Sequence, residues 1–207
     1  MKFRMFFAAA LCAMAASVSA QDAIYGIKSG IITTEMDMMG QTIVQKQYFD
    51  DYGKKTAQVS DFGGGQMRTI TQDGSQIMIN EAEKTAQRMP AFGGMMGGGQ
   101  NRINWTKLTD EVKKANQIKE LGKETIAGKE CTKYSVTTEG FMGPQTQTVW
   151  IYQGITMKSS TSMGDMGEMV QVVTKLEENV DIKADMFTVP AGIQVTDFDM
   201  SQFGGGF

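Results

Sequence analysis

The stretch Gln145-Thr-Gln-Thr-Val-Trp-Ile-Tyr-Gln-Gly-Ile-Thr-Met-Lys-Ser-Ser-Thr-Ser162 decides the fold. Apolar residues run from Val149 to Tyr152, Gln153-Gly154 interrupts them, and Ile155-Thr-Met157 resumes the run. A two-residue connection ending in glycine suits the positive dihedrals of a type I′ turn, whose twist matches that of paired antiparallel strands. The spacing therefore predicts a hairpin with strands Gln145 to Tyr152 and Ile155 to Ser162. Successive side chains on a strand point to opposite faces, so Trp150 and Tyr152 share one face and Val149 and Ile151 the other. A strand apolar on both faces fits a central position between a core and a covered concavity, and fits a sandwich equally well. Ile151 is expected in the core.

The same rhythm extends outward in both directions. Downstream, Glu168 to Glu178 alternates Val170, Val172 and Leu176 with Gln171 and Lys175; upstream, Ile118 to Ile126 and Lys129 to Thr138 read as strands. In the first half, strands are expected over Ile24 to Met36, Gln41 to Asp50, Lys54 to Asp61 and Gln66 to Gln72. Gly40, the Asp51-Tyr52-Gly53 turn and the Phe62 to Gly65 run are the connections. Asp73-Gly74, followed by Ile77 and Ile79, is the strongest short hairpin signal. Helix is the exception: Thr109 caps a short segment over Asp110 to Asn116, with acids first and lysines later as the helix dipole prefers, and Lys183-Ala-Asp-Met186 makes a single turn. The fold class is mainly β, a largely antiparallel sheet with one or two short helices.

Composition excludes much chemistry. The 207 residues contain no His, so no Ser-His or Cys-His nucleophile pair and no His-ligated zinc or haem is possible. The net charge of -3, without a Lys/Arg cluster, argues against nucleic acid as a partner. Lys2 and Arg4, an apolar run over Met5 to Ala16 and the small residues Val18-Ser19-Ala20 read as a signal peptide over residues 1-20. Cleavage near Ala20 would place the chain in the periplasm or outside the cell. No later run approaches the roughly 20 apolar residues of a spanning helix. Residues 21-200 are expected to form a single domain with a Gly/Met-rich loop at 91-100, followed by a flexible Gly-rich tail at 201-207. With Cys12 removed, Cys131 stands alone and reads as a buried small hydrophobe.

Several of these residues together resemble a known family. Gly128-Lys-Glu-Cys131-Thr-Lys-Tyr134, Val149 to Lys158, Leu176-Glu-Glu-Asn-Val180 and Phe187-Thr-Val-Pro-Ala-Gly192, with Tyr48-Phe-Asp-Asp-Tyr-Gly53 and the Asp73-Gly74 hairpin, resemble secreted domains of unknown function from Gram-negative bacteria. Those domains are related to the outer-membrane lipoprotein carriers of the Lol system (LolA/LolB-like). The resemblance implies a strongly curved antiparallel sheet, an incomplete barrel, whose concave face carries apolar side chains and shelters lipid or an acyl chain. The carriers' substantial helical lid has no counterpart beyond Thr109 to Asn116, so the cavity carries over and the transport cycle does not.

Methionine is the compositional outlier, with 18 residues. Flexible, polarizable thioethers suit a surface that binds ligands of variable shape. Met36, Met38 and Met157, with Trp150 and Tyr152, are accordingly the candidate ligand-binding residues. Met163-Gly-Asp-Met166-Gly-Glu-Met169 has the spacing and soft donors of a copper(I) site, although no His supports it. Adjacent acids such as Asp50-Asp51 and Glu177-Glu178 fall on opposite strand faces and fail as acid/base pairs. No catalytic residue and no cofactor is expected. The sequence thus points to an exported non-enzymatic protein that binds a lipid or lipoprotein acyl chain. The alternatives are a structural module that holds an envelope protein, and copper(I) binding by methionine.

Overall fold

The structure, a computed structural model, describes residues 23-38, 41-61, 66-72, 75-89, 103-140, 143-162 and 167-198. The expected signal peptide, the 62-65 connection, Asp73-Gly74, the 91-100 loop, Met163, Met166 and the 201-207 tail lie outside these residues.

The described residues form one curved, unclosed twelve-stranded sheet. A first meander comprises β1 (Gly30–Met38), β2 (Gln41–Asp50), β3 (Lys55–Asp61), β4 (Gln66–Gln72), β5 (Ser75–Asn80) and β6 (Thr85–Met89). A second comprises β7 (Lys119–Ile126), β8 (Lys129–Gly140), β9 (Gly143–Tyr152), β10 (Ile155–Ser162) and β11 (Glu168–Glu178). They join through an antiparallel seam between β1 and β11, and the short β12 (Val195–Asp197) adds parallel to β6, giving the order β12-β6-β5-β4-β3-β2-β1-β11-β10-β9-β8-β7. Between the meanders lie a 3-10 turn over Trp105–Lys107 and the helix α1 (Asp110–Ala115). Thr109 caps α1 as expected, its hydroxyl accepting from the Val112 N–H at 3.3 Å.

The mainly β class and the curved, incomplete barrel stand as the sequence led one to expect, and the second-half strand bounds agree closely. Gln153 (φ 48°) and Gly154 (φ 80°) make the expected type I′ connection. Three differences are informative. The first strand begins at Gly30, not Ile24: residues 24-29 bend across the end of the sheet, where the Ile24 and Tyr25 N–H groups donate to Tyr52 O and Gly26 N–H donates to Gln153 O. Those bonds satisfy the backbone without a neighbouring strand. The second is two additional strands. β6 has no signature in the sequence, because its Thr-Ala-Gln-Arg-Met has a single buried residue, Ala86, and no apolar alternation. β12 has none either, since three exposed residues carry no pattern.

The third difference concerns which face is apolar. In β3 to β6 the apolar residues Ala57, Ile70, Ile77, Ile79 and Ala86 form a core on the outer face, covered by Met186, Phe187, Val189 and Ile193 of the C-terminal segment. Arg68 fastens that segment: its Nη1 donates to the carbonyls of Asp185 (2.8 Å) and Met186 (3.0 Å), and its Nη2 pairs with Glu81 at 2.6 Å. On the other side of the sheet, Val136, Val149 and Ile151 form an inner core with Ile103, Trp105, Ile118 and Tyr134.

Candidate functional site

Register places two rows of uncharged polar residues on the inner face of the first meander. Gln47, Gln58 and Thr69 lie opposite one another across β2, β3 and β4; Thr56, Thr71 and Gln76 do so across β3, β4 and β5. They are the alternation partners of the outward apolar set, so one period-2 pattern creates both faces. Gln58 Nε2 donates to Gln45 Oε1 at 3.0 Å, the Thr56 and Thr71 hydroxyls bond at 3.1 Å, and Gln47 Nε2 donates to the Tyr25 hydroxyl at 3.2 Å.

Opposite these rows stands an apolar wall. Ile32, Met157 and Val173 are buried in a core that also takes Phe49 and Ile155. Trp105 stacks on Tyr134 with centroids 5.1 Å apart. Its turn is held by Asn104, whose Oδ1 accepts from the Thr106 N–H and whose Nδ2 donates to Ala23 O, both at 3.0 Å. Gly154 permits this closure, because a Cβ there would lie 2.6 Å from Ile24 O and 2.8 Å from Thr106 Cγ2. Between wall and rows is a cavity of about 350 Å³, lined by both sets together with Ile24, Tyr25 and Ile103, and β1, β10 and β11 add the polar Thr34, Thr156, Ser159 and Gln171 beside the apolar wall residues. Its described lining contains no Asp, Glu, Lys or Arg.

Of the five candidate binding residues, Met157 lines the cavity. Trp150 is buried on the opposite face of β9 from Val149 and Ile151. Its Nε1 donates to Glu124 Oε2 at 2.6 Å, and Lys133 and Lys158, its register partners on β8 and β10, stand 4.8 and 4.5 Å from the ring centroid. Trp150 also packs in the buried core with Ile126, Cys131 and Met157, so its ring is held between that core and two lysines and is not part of the cavity lining. Tyr152 shares that face, with Lys129 5.5 Å from its ring, and burial, aided by a hydrogen bond with Glu178, pushes its phenol above the usual range. Met36 is half-buried on β1 between Gln171 and Ile43 and is not part of the lining; Met38 ends β1 opposite Gln41. Met169 is the second residue of β11 and is exposed, while its suggested copper partners Met163 and Met166 fall outside the described residues. Burial pushes the Cys131 thiol up, consistent with a packing residue; its Sγ donates to Lys129 O at 3.4 Å.

The sequence reading missed the Gln/Thr rows and the cavity position of Trp105. A signal for the rows was present: Thr56-Ala-Gln58 and Thr69-Ile-Thr71 alternate as regularly as any strand, but the polar phase faces inward.

No protein-family model and no curated protein matches the chain. Among solved structures, it is similar to an uncharacterized conserved protein from Thermus thermophilus, with a TM-score of 0.55 and 9% identity over 83% of this chain and 91% of that one. It is also similar to MucB, with a TM-score of 0.51 and 13% identity over 84% of this chain and 62% of MucB, so it spans less than two thirds of that protein. At these identities the likeness is one of fold. A curved twelve-stranded sheet that stays unclosed, shelters a cavity on its inner face and aligns with these proteins has the lipoprotein-carrier-like fold.

Proposed function

We propose that the protein is an exported, non-enzymatic binding module that takes the hydrophobic part of a ligand into the cavity on the inner face of its sheet. The observation that carries this reading is the apolar wall of Ile32, Ile103, Trp105, Met157 and Val173 facing a cavity of about 350 Å³. That volume falls within the range of about 300–1,000 Å³ usual for small-molecule sites. The residues differ from those expected: Trp105 replaces Trp150 as the aromatic anchor. A chain without His, whose described cavity lining holds no ionisable acid or base other than Tyr25, has little with which to perform acid–base chemistry.

Two measurements test the reading. Native mass spectrometry of protein purified from its host envelope without detergent should show an added mass that fragments as a lipid or acyl species. The uncharged dye N-phenyl-1-naphthylamine should brighten on binding, with affinity about tenfold weaker in Trp105→Ala and unchanged in Trp150→Phe. A bare chain mass together with a silent dye would overturn the cavity reading and leave the envelope-interaction module in its place.

A further inference from the structure

The polar rows call for a ligand that an acyl chain alone does not satisfy. A Gln amide offers two donors and an acceptor oxygen, and a Thr hydroxyl one donor and an acceptor. The bonds that Gln58 and Thr56 make with Gln45 and Thr71 use only part of that capacity. An alkyl chain laid along these rows would strip their water and return no hydrogen bond, at a cost of about 1–3 kcal/mol for each group left unpaired. An ionised head group fits no better, because the described lining supplies no opposite charge and an ion removed from water without a partner is strongly disfavoured. A group that is uncharged and rich in both donors and acceptors matches the rows, and the facing wall accepts an apolar remainder.

Resting on the cavity reading above, we propose that the site selects an amphiphile with an uncharged, polyhydroxylated head group of the saccharide class. The head group lies on Gln47, Gln58, Thr69 and Thr71, and the chain lies against Trp105 and Met157. The test is competition for bound N-phenyl-1-naphthylamine by three probes of equal chain length, used below micelle formation: decyl β-maltoside, decyl sulfate and decyltrimethylammonium. Decyl maltoside should displace the dye at concentrations at least about tenfold lower than either ion, a factor well outside the scatter of such a series. In the double variant Gln58→Leu/Thr69→Val that preference should collapse while dye binding persists; both positions face the cavity and neither belongs to a buried core cluster. Equal displacement by all three probes would overturn the head-group assignment and leave the cavity reading intact. Dye that binds nowhere would overturn both.

Discussion

Arg68 illustrates how one side chain holds a distant segment. It lies between Val59 and Ile79 on the outer face, and its guanidinium bonds two carbonyls more than 100 residues away in sequence. Arg68→Ala removes those bonds and the pairing with Glu81; the Asp185 carbonyl keeps its bonds from Thr188, and the Met186 carbonyl loses the Arg68 donor, so a loss of about 2 kcal/mol is expected from urea unfolding. Arg68→Lys, whose single Nζ cannot hold the two carbonyls and the Glu81 carboxylate together as Nη1 and Nη2 do, should recover less than half of it. Cys131 makes a prediction in pH. Its thiol is raised by burial, so the unfolded chain releases this proton at lower pH than the native chain does. The contribution is flat below the unfolded value near 8.5 and erodes stability as pH rises above it. Denaturation at about pH 7.5 and about pH 9.5 should show a larger alkaline loss in wild type than in Cys131→Ala, and equal losses would refute the assignment.

At the scale of elements, two hairpin turns separate backbone strain from crowding. Gly128 (φ 76°) and Gly154 (φ 80°) each end a two-residue connection in the left-handed region. A Cβ at Gly128 meets open space, whereas one at Gly154 meets the Ile24 carbonyl. Gly128→Ala should therefore cost about 1 kcal/mol and Gly154→Ala about twice that or more, read from thermal unfolding, with dye binding reduced only in the latter. These turns were legible because Ala-Gly and Gln-Gly sit between runs of strand formers. β6 and β12 were not, since β12 at the edge is exposed throughout and β6 beside it buries only Ala86, too little for a pattern. The orientation of β3 to β5 was not legible either. Alternation reveals that a strand has two faces, but which face lines the concavity depends on the covering segment, here Phe187 to Ile193, contributed from the far end of the chain. The candidate site suffered from the same ambiguity: Trp150 and Trp105 are equally large anchors in sequence, and only tertiary placement puts the first under two lysines and the second on the cavity wall.

At the scale of the molecule, the two halves of the sheet divide their tasks. The second meander, β1 and the connecting segment with Ile103 and Trp105 provide an apolar wall, and β2 to β5 provide the polar rows; the first meander has a core outside the curve, the second has one inside it, and a third core with Phe49, Ile32, Met157 and Val173 spans both halves. The seam that unites them pairs Gly30 with Glu178 and Met36 with Gln171, residues separated by most of the chain. This pairing constrains the order of assembly. Each meander can zip from its hairpins, but β1 presents an unpaired edge until β11 arrives, and the wall has no rows to face before then. Such non-local closure predicts refolding on the millisecond-to-second scale typical of high contact order rather than the microseconds of helical bundles. Until the seam closes, the exposed edges of β1 and β11 are templates for intermolecular pairing, so refolding yield should fall as protein concentration rises. A chain of this design depends on its final third to silence an edge created by its first strand.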